Sequence, residues 1–137
     1  MRRGAFCLTL LLLAGCTGTA LPRTHPAGGS VLYKDGMPMT GGSIQFNSLA
    51  DPELRVIGTI GSDGSFTLAT LKENTRADGA PEGDYKVLVF PPLSNESGGD
   101  APAGHKGVPP IALDKTYRIE AKENTLKIEL PTSAPKS

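Results

Sequence analysis

The sequence predicts an all-β domain, a seven-stranded antiparallel sandwich behind a removable N-terminal segment. Three observations carry this. Short β-prone runs alternate with clusters of Gly, Pro, Asn and Asp over residues 29–130. Several runs alternate apolar with polar residues, the period of a sheet with one buried face. No stretch carries the 3.6-residue period of an amphipathic helix. Each sheet then has one apolar face to bury, and two packed sheets bury both.

The elements follow in order. Residues 29–33 (GSVLY) form the first strand, closed by Lys34-Asp35-Gly36. Residues 42–48 (GSIQFNS) form the second, with Ile44 and Phe46 on one face and Ser43, Gln45 and Asn47 on the other. Residues 55–60 and 65–70 form a hairpin around Gly61-Ser62-Asp63-Gly64, because Asp-Gly between β-prone runs is a strong hairpin signal. Gly64 takes the positive-φ position of that turn. Residues 84–90 (DYKVLVF) are apolar on both faces and are expected to be the most buried strand, with Gly83 turning the chain into it. Residues 116–121 (TYRIEA) and 125–130 (TLKIEL) form a last hairpin, turning at Lys122-Glu123-Asn124. There Tyr117, Ile119, Leu126, Ile128 and Leu130 point in, and Arg118, Glu120, Lys127 and Glu129 point out. Tyr33, Phe46, Phe66, Tyr85, Phe90 and Tyr117 are all expected in the core. The two long connections are 71–83 and 91–113. The second carries five Pro and four Gly, and disorder is expected over 94–107.

The N-terminus sets the compartment. Residues 1–16 read MRRGAFCLTLLLLAGC: two arginines, an apolar run over 5–14, then small residues. That is the layout of a secretory signal peptide, and the run is shorter than the roughly 20 residues that span a bilayer. Leu13-Ala14-Gly15-Cys16 resembles the lipobox of bacterial lipoproteins. The resemblance implies cleavage of 1–15 and lipidation of Cys16. One acyl chain binds a membrane marginally, at about 0.8 kcal/mol per buried CH₂, so two or three chains make a stable anchor. Cys7 leaves with the signal, so no disulfide and no cysteine metal site is expected. Residues 16–28 are read as lipidated Cys16 and a tether, 29–131 as the domain, and 132–137 as a disordered tail. Thr17 after the cysteine is not Asp, which by the proteobacterial sorting rule favours the outer membrane.

Composition agrees with an ordered but turn-rich domain. Gly and Pro make up about 22 % of residues 16–137, against roughly 12 % in average chains and about 25–30 % where disorder sets in. Those residues hold 12 basic and 14 acidic side chains. No basic stripe for nucleic acid is present, and none is expected as a partner.

Order and spacing of the turns carry a further resemblance. The segments are Gly29-Ser30-Val31 with Asp35-Gly36-Met37-Pro38-Met39, then Gly41-Gly42-Ser43-Ile44-Gln45-Phe46, then Asp63-Gly64-Ser65-Phe66, then Pro81-Glu82-Gly83-Asp84-Tyr85-Lys86-Val87. Together they resemble the short lipoproteins of planctomycete-type bacteria with a carboxypeptidase-regulatory-like, transthyretin-like domain. The resemblance covers roughly residues 29–130 and implies an immunoglobulin-like or prealbumin-like sandwich. Val108-Pro109-Pro110-Ile111 departs from it, lacking the Lys-Tyr that commonly follows there.

The residues offer little chemistry. His25 and His105 stand 80 positions apart, in the tether and the long loop, and no metal or cofactor is expected. Asp35 and Asp63 read as turn formers rather than Ca²⁺ ligands. No serine sits in a Gly-x-Ser-x-Gly setting. The enzymes of the transthyretin-like fold, the hydroxyisourate hydrolases, carry strand histidines and a Tyr-Arg-Gly-Ser ending. Here Tyr117-Arg118 runs into Ile119, and the last residues are Ala134-Pro135-Lys136-Ser137. The charges on 118–129 read as cross-strand pairs guarding an edge. The expectation is a non-enzymatic module of the cell envelope, held to a membrane through Cys16, structural or protein-binding. The alternative is a small-molecule or carbohydrate carrier using loops at one end of the sandwich, with an envelope protein or glycan as partner.

Overall fold

The computed structural model describes residues 20–92 and 108–135. The signal region, Cys16, Thr17 to Thr19, His105 and the segment expected to be disordered lie outside them. Ten strands form: β1 Thr24–His25, β2 Ala27–Leu32, β3 Ser43–Ser48, β4 Arg55–Thr59, β5 Ser65–Lys72, β6 Thr75–Asp78, β7 Ala80–Pro81, β8 Gly83–Phe90, β9 Ile111–Ile119 and β10 Asn124–Glu129. The all-β expectation holds, with three more strands than the seven expected. One short strand, β1, lies inside the expected tether. The other two, β6 and β7, lie inside the first long connection.

β5 joins two layers. Ser65 to Thr67 pair with β2, Leu68 to Leu71 pair with β4 on one side, and Ala69 to Lys72 pair with β6 on the other. One layer is therefore β10-β2-β5, and the larger one is β6-β5-β4-β3-β8-β9. Their facing sides form one core. Val31 and Ile128 come from the small layer, and Ile44, Phe46, Val56, Leu68, Val87 and Val89 from the large one, all essentially solvent-free. Phe46 sits at its centre, with its ring 6.0–6.3 Å from those of Phe66, Tyr85 and Tyr117. Edge-to-face and tilted contacts at this range suit the aromatic quadrupole.

Two of the six expected core aromatics sit elsewhere. Tyr33 follows β2 and is only partly buried against the core. Phe90 is half-buried on the outer side of β8. That strand buries Tyr85, Val87 and Val89 and leaves Lys86, Leu88 and Phe90 half-covered, so it has one core face rather than two.

The last hairpin does not form. β9 is longer than expected and pairs antiparallel with β8, whereas β10 crosses to the other layer and pairs parallel with β2. The sandwich is therefore mixed rather than wholly antiparallel. Asn124 directs the crossing. Its side-chain Oδ1 accepts from the Glu120 N–H at 2.9 Å. Its Nδ2 donates to the carbonyls of Glu120 at 3.0 Å and Lys122 at 2.6 Å, and its backbone N–H donates to Pro26 at 2.8 Å. Gly29 lets the parallel pair close, because a Cβ there would lie 1.8 Å from the Leu126 carbonyl oxygen.

The β4–β5 turn forms as expected. Gly64 has φ 82°, and Gly61 donates to the Ser65 carbonyl at 2.8 Å. The Asp63 carboxylate accepts from the Ser65 N–H at 3.0 Å and hydroxyl at 2.6 Å. At the start of β8, Gly83 has φ 144° and the Tyr85 hydroxyl donates to the Pro81 carbonyl at 2.8 Å. A tyrosine bonding back to the backbone a few residues upstream is the tyrosine corner of Greek-key sandwiches. The residues after β10 are docked rather than loose: Lys34 donates to the Thr132 carbonyl at 3.0 Å, and Ala134 to the Asp35 carboxylate at 3.2 Å. Residues 136 and 137 of the expected tail lie outside the described ones.

Candidate functional site

The strand directions define two ends. β2, β4, β8 and β10 start at the end that bears β1, and β3, β5 and β9 finish there. His25 stands at this end in β1, half-buried and opposite Ala80, not in a free tether. No group of three or more His, Cys, Asp or Glu able to hold a metal ion occurs among the described residues.

The titrating groups behave as structural ones. Burial, with the Asp51 charge adding to it, pushes the Tyr85 hydroxyl up to about 12. Burial also lifts Tyr117, helped by the Glu129 charge, while a hydrogen bond from the Glu129 backbone opposes it. Asp63 is held low by the Ser65 hydroxyl and N–H, Glu120 by Lys122, and Glu129 by Lys127. All three carboxylates are exposed. The charges of 118–129 pair differently from expectation. Only Arg118 bridges strands, to Asp84 at 3.2 Å, while Lys122 meets Glu120 at 2.6 Å and Lys127 meets Glu129 at 2.9 Å along the chain.

Two concavities among the described residues are wide enough to hold a ligand. A groove of about 450 Å³ runs along the seam between β9 and β10, lined by Lys34, Asp114, Lys115, Tyr117, Lys127 and Glu129. Its charges are partly answered within it, since Lys127 pairs with Glu129 and Lys115 lies 5.2 Å from the Tyr117 ring centre. A trough of about 510 Å³ crosses the outer face of the large layer. Register places Gln45 beside Ile57, and Ser43 between Thr59 and Phe90. Thr67 continues that surface, and Arg76 of β6 stands at its border. Sequence alternation missed this surface. Its signal was the doubled apolar positions Val56-Ile57 and Val89-Phe90, where an outer-face residue is as apolar as its inner neighbour.

Comparison of the chain with protein-family models, curated proteins and solved structures gives no match.

Proposed function

We propose that this chain is a lipid-anchored, non-enzymatic β-sandwich module of a bacterial cell envelope, of the carboxypeptidase-regulatory-like, transthyretin-like kind, serving a structural or protein-binding role. The observation that carries the reading is Leu13-Ala14-Gly15-Cys16 behind a ten-residue apolar run and two arginines. Cys16 is the lipidated residue, and the membrane is its first partner. The way the strands begin supports this. β1 starts at Thr24 and Leu21 already packs on the core, so only a few residues separate Cys16 from the fold. At about 3.3 Å per extended residue, that link holds the domain within roughly 25 Å of the lipid. The end bearing β1 then faces the membrane, and the end bearing the β4–β5 turn faces away. The outer membrane is the favoured destination, on Thr17.

The test is replacement of the cysteine. In membrane fractions the wild-type protein should begin at Cys16 and carry diacylglyceryl and acyl mass, while Cys16→Ser should persist as an uncleaved precursor. An unmodified Cys16 in the wild-type protein would overturn the reading.

A further inference from the structure

We propose that the trough on the outer face of the large layer binds an acidic oligosaccharide, a chain of hydroxyl-rich rings bearing carboxylates. This goes beyond the anchored-module reading and stands whether or not Cys16 is lipidated.

The lining sets the ligand class. Its floor is Ile57 and the Phe90 ring, both half-buried, and around them stand neutral polar side chains, among them Ser43, Gln45 and Thr59. A sugar ring has both features to match, a C–H face that lies on an apolar floor and equatorial hydroxyls that pair with hydroxyl and amide groups beside it. Among the described residues the only charged side chain in the lining is Arg76, and no carboxylate lines the trough. Asp78 shares that side of β6 but stays outside the lining. Arg76 forms no ion pair or hydrogen bond with any described residue, so its planar fork of donors is free to take a carboxylate in a bidentate pair.

The same surface disfavours a peptide. Extended peptides add to a sheet through a free backbone edge. The strands under the trough floor, β4 and β8, have both edges occupied, β4 by β3 and β5 and β8 by β3 and β9, and only β6, at the border, pairs on one side among the described strands. What remains is side chains fixed in rows by the strand register, a rigid platform that loses little freedom on binding.

The experiment titrates the purified full-length chain with tetragalacturonate, with neutral maltotetraose and with an acidic tetrapeptide, by calorimetry. Tetragalacturonate should bind at least tenfold more tightly than maltotetraose. Arg76→Gln should erase that difference, and Phe90→Ala should weaken both sugars. Arg118→Gln, outside the trough, should change neither. Arg76 and Arg118 are exposed and Phe90 is half-buried outside the core, and unchanged melting temperatures would show that the variants fold. If Phe90→Ala melts early, Ile57→Ser replaces it. Failure to bind tetragalacturonate, binding indifferent to Arg76→Gln, or equal Arg76-dependent binding of the tetrapeptide would each overturn the proposal.

Discussion

The β4–β5 and β9–β10 segments look alike as sequence and fold in opposite ways. Each is two alternating strands around a short polar connector. Residues 55–58 and 68–71 pair with each other as a hairpin in the large layer, with only the first residues of β5 reaching over to β2, whereas residues 111–129 split between the two layers and do not pair with each other. Alternation states which side chains face inward in both cases, and it is right for Phe66, Leu68, Tyr117, Ile119 and Ile128. It is silent on which strand lies alongside, because an inward row fits either layer equally well. The connector decides. Asp63 and Gly64 build a tight reversal, while Asn124 ties Glu120, Lys122 and Pro26 together and carries the chain across.

The largest expected effect breaks the split pair outright. Gly29→Val would drive a side chain into the Leu126 backbone. A backbone collision cannot be relieved by a rotamer change, so the cost should exceed the roughly 1–3 kcal/mol of ordinary overpacking. In a domain of this size each kcal/mol moves the midpoint by about 4–8 °C. The variant should melt more than 10 °C early by circular dichroism, and a wild-type melt would refute the β2–β10 pairing.

Asn124→Ala sharpens the comparison at the connector. It removes an almost fully buried amide and leaves its backbone partners short of bonds, which costs about 1–3 kcal/mol. The matching change at the hairpin, Asp63→Ala, removes a fully exposed carboxylate and should shift the melt far less. Equal shifts would mean that the two connectors do the same job.

The smallest effect concerns the joint that leads into β8. Tyr85→Phe deletes the bond to Pro81 and should cost about 1 kcal/mol at neutral pH. Its pH dependence is more telling. The folded hydroxyl titrates near 12 rather than its ordinary 10, so the folded state holds a proton that the unfolded state releases first. Stability contributed by this group is complete below pH 10 and is lost as pH rises toward 12. Tyr117 acts in the same direction. Alkaline unfolding should therefore be less steep in Tyr85→Phe than in wild type, and an identical profile would refute the assignment.

Much of the fold was legible for a physical reason. Core residues such as Ile44, Phe46, Phe66 and Tyr85 sit at period two beside polar residues that prefer water, and Gly64 stands where only a turn needs it. The short strands were not. β1 and β7 arise because Pro26, Gly79 and Pro81 lie against other parts of the chain, and contacts between distant segments leave no periodic trace. β6 folds back on β5 through a tight turn at Glu73-Asn74, where Glu73 takes φ 52° and no Asn-Gly or Asp-Gly pair marks the reversal. β1 pairs His25 with Ala80, and Thr70 donates its hydroxyl to the Gly79 carbonyl at 2.8 Å. The trough was hidden for a related reason. Phe90 reads as core by its chemistry, and only the register of β3 with β8 puts it outside beside Ser43.

The parallel pairing of β2 and β10 bears on how the molecule would carry load. β2 is the first long strand after the link to Cys16, and β10 is the last strand, in register with it from Ala27 and Asn124 to Leu32 and Glu129. A pull on the N-terminal link drags β2 toward one end of the sandwich, and a pull on the residues after β10 drags that strand toward the other. The two strands are thus sheared along their length, and the evenly spaced bonds of a parallel ladder must yield together rather than unzip one at a time. A protein held at one end and tugged at the other would meet the force with its whole seam at once.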